Sequence, residues 1–456
     1  MSKPLLTESN SFFELSEDLP EEILFILDRF EKNNKRSYLV GGSVRDLLLG
    51  KAINDYDITT PATPEEVKDI FPDLIVLDTG LQHGTVTLLI ENKPFEITTF
   101  RTDGKYSDHR RPNKVELTTS LFEDSQRRDF TINQLAYNPL EGLVDYHNGL
   151  DDLQAKLIRA VGDPYKRFNE DALRIIRALR FGTQLNFSLE ENTFAAVKDM
   201  INDLDFVAAE RLTHELIKIL NSDFLSNNWQ NLMVLWNYLF PSYACAIYGA
   251  FNVDLLKELP QNYIINLTLL AYFLIGEDSA DFLNKLKLKK IDLVFIESYV
   301  AALQEIAEIQ GTREVQATQE VQATREQEAD FETNSEVNTR KLFFCSPLDL
   351  VQLKIKYKLH LPTFIEILNL VSLEPKYGIS PQAIKEIKAS FSEILKKQLP
   401  LSTLDLAITG KDLIDLGFPQ GKAVGNTLDA LLQKTIQGEL ENKEDHLLLA
   451  AKTMLP

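Results

Sequence analysis

The stretch YLVGGSVRDLLLGKAINDYDITT, Tyr38 to Thr60, limits what this chain can fold into more than any other part of it. An apolar run ends in a glycine pair, Gly41 and Gly42. A helix-like stretch carrying Arg45 follows, and a second extended run then holds Asp55 and Asp57. Glycines between a strand and a helix let backbone N–H groups approach a phosphate at the helix N-terminus, although a plain tight turn explains a glycine pair equally well. Arg45, one turn into that helix, is within reach of the same phosphate. Residues two apart in a strand leave the same face, so Asp55 and Asp57 would stand side by side. Two like charges held that way are costly unless a divalent cation sits between them, the arrangement that phosphoryl transfer uses.

Composition bounds the rest. A chain of 456 residues, 44% hydrophobic and 25% charged, is long enough for a large core and more than one domain. The first residues lack the basic start and apolar core of a signal peptide, and no apolar run is long enough to span a bilayer. We expect no membrane partner. Cys245 and Cys345 are far apart, without metal-type spacing, which fits free thiols in the cytoplasm. The net charge of −20 argues against a polyanionic partner, but the cations are clustered. Arg101, Lys105, Arg110, Arg111 and Lys114 form one group, and a second, richer in arginine, runs from Lys156 to Arg180. A locally positive cleft in an acidic molecule would focus a nucleotide or a nucleic acid.

From about Tyr38 to Asp145, short β-type runs alternate with helical stretches such as TPEEVKDIF, predicting a mixed α/β head. After Asp151 the apolar residues recur at helical spacing to the end, with no further convincing strand. Thr312 to Ala329, TREVQATQEVQATREQEA, repeats a six-residue unit nearly free of large apolar residues. We expect about 310–338 to be a solvated or disordered insertion. Within EDALRIIRALRF the polar positions Asp171, Arg174, Arg177 and Arg180 advance by three, with nearly everything between them apolar. This narrow stripe predicts arginines lining a cleft. Glu96, in PFEITTFR, is one candidate to complete the carboxylate cluster. Asp129, in RRDFTIN, is the other, unless it only caps a helix starting near Thr131.

LVGGSVRDLLLG with DYD, RRDFTINQLAY (Arg127 to Tyr137) and EDALRIIRALRF (Glu170 to Phe181) together resemble the bacterial tRNA nucleotidyltransferase and poly(A) polymerase family, the class II branch of the polymerase-β-type superfamily. The motifs occur in the family's order and spacing over about Tyr38 to Leu220, and Ile408 to Leu440 is similar to the tail of CCA-adding members. The resemblance implies an α+β fold, with a nucleotidyltransferase head of mixed sheet and helices followed by an all-helical neck, body and tail. We place the head at 1–147, the neck at 148–222, the body at 223–370 and a tRNA-binding tail at 371–456. It further implies that Asp55 and Asp57 hold Mg2+ as the catalytic carboxylates, and that Gly42, Arg45 and Arg128 contact the nucleotide. Asp171, Arg174, Arg177 and Arg180 match the nucleotide-selecting positions.

The implied reaction is template-independent addition of CCA to the 3′ end of tRNA from CTP and ATP by two-metal transfer. Cytosine and adenine each present an amino donor beside a ring-nitrogen acceptor, which a carboxylate such as Asp171 and an arginine such as Arg174 complement. Guanine and uracil reverse that order. LDTGLQHGTVTLLI and the loop DGKYSDHRRP, Asp103 to Pro112, are closer to complete CCA-adding members than to poly(A) polymerases or CC-adding ones. The six scattered histidines give no sign of a fused phosphohydrolase. The alternatives are a poly(A) polymerase or A-adding enzyme, and an inactive RNA-binding protein of the same fold. The sequence carries no signal of oligomeric state.

Overall fold

The computed structural model describes residues 12–53, 55–104, 115–239, 257–275, 283–284, 286–327, 347–373 and 379–455. The chain divides into two compact units, Met1–Pro241 and Ser242–Pro456.

The first unit begins with α1 (Glu21–Lys32), whose Ile23, Ile26, Leu27 and Phe30 recur at helical spacing and are buried. The segment β1 (Tyr38–Val40), α2 (Gly42–Leu48), β2 (Asp57–Thr60) is the strand, turn, helix and returning strand read from the sequence. Next comes α3 (Pro64–Ile70). It starts where Thr63 accepts from the Glu66 amide while Glu66 Oε2 accepts from the Thr63 amide at 2.9 Å, and Pro64 opens the helix. There follow β3 (Ile75–Gly80), β4 (Thr85–Ile90), β5 (Lys93–Thr99), β6 (Arg101–Asp103), β7 (Val115–Leu117), α4 (Leu121–Gln126), β8 (Ala136–Asn138) and β9 (Gly142–Val144). A seven-stranded sheet has the order β3-β4-β5-β2-β1-β8-β9, with β2 and β5 parallel and its other pairings antiparallel. Strands β6 and β7 pair separately.

The helical part of this unit comprises α5 (Gly149–Gln154), α6 (Pro164–Glu170), α7 (Leu173–Leu185), α8 (Glu191–Asp199), α9 (Ala209–Leu220) and α10 (Trp229–Leu239). Within it, β10 (Leu157–Ile158) and β11 (Ser188–Leu189) make a short parallel pair. That corrects the expectation of no strand after Asp151. Two-residue strands are too short to carry the alternating pattern by which strands are read. Helix α7 buries Ile175, Ile176, Ala178 and Leu179 and packs on α9.

The second unit is helical throughout its described residues. Its helices share aromatic contacts such as Tyr299 stacked on Phe364 at 6.2 Å. Lys290–Gln327 is a single helix of 38 residues, so the repeat from Thr312 to Gln327 continues a helix. The alternative of disorder is corrected for those residues. The repeat is rich in Ala, Glu, Gln and Arg, all strong helix formers, and lack of large apolar residues is no barrier to a helix that grows from a packed one. Residues 328–338 of the expected insertion lie outside the described residues. So do 105–112 of the loop DGKYSDHRRP, the cations Lys105, Arg110, Arg111 and Lys114, and both cysteines. Among the described residues, no helix is long and apolar enough to cross a membrane.

Candidate active site

The turn at Gly41 anchors one wall of a cleft. Gly41 has φ +75°, which only glycine adopts freely. A Cβ there would lie 3.5 Å from Arg128 Nη1 and 3.9 Å from Asp57 Oδ2. Gly42 opens α2, and the position of a Cβ on it is 3.5 Å from Arg45 Nη2. The glycine pair therefore brings backbone close to both an arginine and a carboxylate. Arg45 is nearly buried and firmly held: its Nε and Nη2 donate to Asp46 at 2.9 and 2.8 Å, and its Nη1 donates to Asn133 Oδ1 at 2.6 Å. Donors remain free on both terminal nitrogens.

Asp57 is the first residue of β2, paired in register with Val40 of β1 and Glu96 of β5. Asp57 and Glu96 are exposed while their neighbours Ile58 and Ile97 are buried, so both side chains leave the solvent-facing side of the sheet. The Asp57 carboxyl is held above its ordinary value by desolvation first, then by the charge of Glu96; Arg128 opposes this and Asp55 adds to it. Asp55 is exposed and precedes β2. The expectation that both aspartates share one strand is corrected, because the strand starts only where Asp57 pairs with Val40 and Glu96.

Asp129 is buried. Its Oδ2 accepts from Arg177 Nε and Nη2 at 2.9 and 2.5 Å, and its Oδ1 accepts from the Phe130 amide at 2.8 Å and Asn133 Nδ2 at 3.2 Å. Burial works to raise its pKa, but the Arg177 charge and hydrogen bonds hold it well below the carboxylate range. Its carboxylate is thus committed to Arg177. The 3-10 turn Thr131–Asn133 has no side-chain cap, so Asp129 is not a cap either. Asp124, fully buried, plays the same part for Arg127 and Arg128, its oxygens accepting at 2.7 and 3.0 Å. Against burial, those two guanidinium groups keep it ionised below the usual range.

The opposite wall comes from α7 and α9. Arg174 donates from Nη1 to the Arg167 carbonyl at 3.0 Å and Glu170 Oε2 at 2.9 Å, and from Nη2 to the Arg127 carbonyl at 2.7 Å. Arg180 pairs with the buried Glu215 at 2.5 Å; burial lowers its pKa to about 10, and Glu215 opposes that, so it stays charged. The guanidinium groups of Arg45, Arg177 and Arg180 lie 5.1, 5.2 and 3.8 Å from the centre of the Phe181 ring, which gathers cations that would otherwise repel.

Asp171 is not on the arginine helix, contrary to the reading of a single stripe. It occupies an extended backbone at the end of α6, and α7 starts at Leu173. Its Oδ1 accepts from the Leu173 amide and its Oδ2 from Arg211 Nη2, both at 3.2 Å. The junction breaks the helix but leaves Asp171 beside Arg174, whose amide donates to the Asp171 carbonyl at 3.0 Å.

These side chains surround one cleft of about 470 Å3. It brings together Gly41, Gly42, Arg45, Asp57, Arg128, Asp129, Asp171, Arg174, Arg177 and Arg180 from the sequence reading, while Asp55 and Glu96 are not among its walls. Seven arginines line it against three aspartates, so its field is positive within an acidic chain. Arg127, Asn133 and Arg211 also line it and were not singled out individually. The RRDFTIN run already carried the first two. Arg211 and Glu215 belong to AERLTHEL and stand four apart on α9, a spacing also common on ordinary solvated helix faces.

Hard oxygen donors suit magnesium, which is commonly held by one or two carboxylates together with substrate phosphates. Asp57, with Asp55 and Glu96 near enough to raise its pKa, fits that donor set. Among the described residues, no three such side chains are grouped closely enough to hold a metal ion by themselves.

Residues 37–159 match the family model for the poly(A) polymerase head domain, 186–247 a model described as "Probable RNA and SrmB- binding site of polymerase A", and 261–451 a model for a second tRNA nucleotidyltransferase domain. The chain is 45% identical over 224 residues to the CCA-adding enzyme of Staphylococcus saprophyticus, covering 49% of this chain and 54% of the relative. It is 52% identical over 194 residues to that of Lactobacillus helveticus, covering 42% and 48%. The match thus spans about half the length of these curated relatives. The crystal structure of the Bacillus stearothermophilus CCA-adding enzyme in complex with CTP superimposes with a TM-score of 0.68 at 27% identity, over 95% of this chain and 97% of that one. The Thermotoga maritima CCA-adding enzyme complexed with tRNA shares the fold, with a TM-score of 0.62 at 21% identity over 97% and 98%. The chain belongs to the tRNA nucleotidyltransferase and poly(A) polymerase family.

Proposed function

We propose that this chain adds C, C and A to the 3′ end of tRNA, using CTP and ATP and releasing pyrophosphate. The observation that carries the reading is one cleft holding both Asp57, behind the Gly41 turn, and Asp171 beside Arg174. The likeness to CCA-adding enzymes supports it. We place the reaction in the cytoplasm and keep the division into head 1–147, neck 148–222, body 223–370 and tRNA-binding tail 371–456.

Arg45, fixed by Asp46 and Asn133, and Arg128, fixed by Asp124, would hold the triphosphate with their remaining donors. Because Asn133 and Asp124 are buried, the cations are positioned before the nucleotide arrives and little reorganisation is needed. Asp57 and Asp55, with Glu96 as the third carboxylate, would hold Mg2+. Glu96 is favoured over Asp129 because Asp129 is neutralised by Arg177. The ions would supply Lewis acidity at the α-phosphate and at the attacking 3′-oxygen. Asp171 would accept the amino hydrogen of C or A with a lone pair not used by Leu173 or Arg211, and Arg174 would donate to the ring nitrogen with a hydrogen not given to backbone or Glu170. Arg177 and Arg180 keep this wall positive.

Single-nucleotide incorporation on tRNAs ending before C74, C75 and A76 (tRNA positions) tests the reading. It predicts C, C and A in that order from CTP and ATP. Incorporation of A alone on every substrate would favour an A-adding enzyme or poly(A) polymerase. No incorporation of any nucleotide would favour an inactive RNA-binding protein.

A further inference from the structure

Three conjugated rings meet on the surface of the first unit. Phe122 and Tyr146 are 44% and 45% exposed, with ring centres 5.3 Å apart and planes at 83°. The His147 ring lies 6.0 Å from Phe122 and nearly parallel, at 14°. Hydrogen bonds fix the His147 ring. Ser125 Oγ donates its single hydrogen to the Phe122 carbonyl at 2.6 Å, so at 3.0 Å from His147 Nε2 the hydroxyl oxygen accepts and the imidazole donates. The His147 amide donates to Asp145 Oδ1 at 3.1 Å. Burial and the nearby Arg167 keep the imidazole below its ordinary pKa, with Asp145 working the other way. A neutral ring is therefore presented at neutral pH.

Exposed aromatic area is unfavourable in water, yet Phe122 and Tyr146 stay on the surface, packed on each other and, for Phe122, against a His147 ring that Ser125 holds in place. Their setting indicates what covers them. Helix α4 carries Phe122 on its exposed side and, two residues on and facing the other way, the buried Asp124 that grips Arg127 and Arg128 of the cleft. The three rings are not among the walls of the cleft, but Phe122 precedes Arg127 and Arg128 of the cleft by five and six residues, and Arg167, whose charge acts on the His147 ring, gives its carbonyl to Arg174 of the cleft. Aromatic faces beside a cationic groove are the means by which unpaired nucleic acid strands are bound: phosphates follow the cations and bases stack on the rings.

We propose that Phe122, Tyr146 and His147 form a stacking platform for an unpaired base near the 3′ end of the RNA substrate. This rests on the reading that the cleft extends an RNA terminus.

The test uses the full chain and a tRNA lacking its CCA end. Phe122→Leu and, independently, Tyr146→Leu keep apolar bulk but remove the stacking face. Each should raise KM for the RNA about tenfold, within the range for one base on one aromatic ring, and leave KM for CTP unchanged. Phe122→Trp should restore the RNA KM. A 2-aminopurine placed at the RNA terminus should be quenched on binding the wild-type chain and less so by the leucine variants. Unaltered RNA KM and quenching in leucine variants with unchanged melting temperatures would overturn the platform, as would equal losses in Phe122→Trp and Phe122→Leu. A wild-type chain that incorporates no nucleotide would instead overturn the reading of the reaction, and the fluorescence test would still decide the platform.

Discussion

Asp57 and Glu96 are register partners in the parallel pairing of β2 with β5, both on the exposed side of the sheet. The pairing brings a residue from a second strand next to the first, and the charge of Glu96 is a main reason, after desolvation, that the Asp57 carboxyl sits above its ordinary value. Glu96→Gln keeps the size and removes the charge. It should lower kcat for CTP incorporation about a hundredfold, equivalent to about 3 kcal/mol, with no loss of melting temperature. An undiminished kcat would exclude Glu96 from the carboxylate group.

Asp57→Ala should be more severe, because Asp57 alone of the three carboxylates lines the cleft. Losing it should cost about 4 kcal/mol or more of transition-state stabilisation, a thousandfold in rate. Near-normal turnover of a folded Asp57→Ala protein with magnesium supplied would remove Asp57 from the metal site.

The Asp129 and Arg177 pair predicts a stability effect. Asp129→Ala leaves Arg177 without its bidentate partner and should destabilise the first unit by roughly 3 kcal/mol, the lower end for breaking a buried pair, since Arg177 is 30% exposed and keeps Glu215 at 3.9 Å. Denaturant unfolding followed in this unit measures it. A change within experimental error would mean that the pair contributes nothing net.

Asp124 and Asp129 both have folded-state pKa values below the ordinary one. The stability they contribute is present above the unfolded carboxylate value of about 3.9 and is lost as pH falls through the folded values. Melting temperature should therefore drop on acidification below about pH 4, and Asp124→Asn should reduce that slope. An unchanged slope would assign acid sensitivity elsewhere.

Much of the site was legible because its parts are local. The glycine turn, Arg45, Asp57 and the arginines of α7 come from short segments whose spacing states their geometry. What the sequence left open depends on pairing across the fold. The preference proposed for Glu96 over Asp129 draws on the register of β2 with β5 and on the ion pair of Asp129 with Arg177. Arg211 reaches Asp171 from forty residues away, a contact that no local pattern records. Helical spacing ran Asp171 into α7 because a two-residue break between helices does not disturb an apolar periodicity. The six-residue repeat was read as an insertion from its lack of apolar bulk, whereas its helix-forming composition carries the helix through Gln327.

The central claim is that this cleft itself chooses the base, with Asp171 accepting the amino group of C or A beside Arg174. Competition between CTP and UTP for the same tRNA lacking its CCA end, in the wild-type and Asp171→Ala enzymes, tests it most directly. The account predicts that the preference for CTP falls by about one to two decades, the worth of one good bidentate contact of roughly 1–3 kcal/mol, with overall activity also lower. An unchanged CTP to UTP ratio in a folded Asp171→Ala enzyme would contradict it.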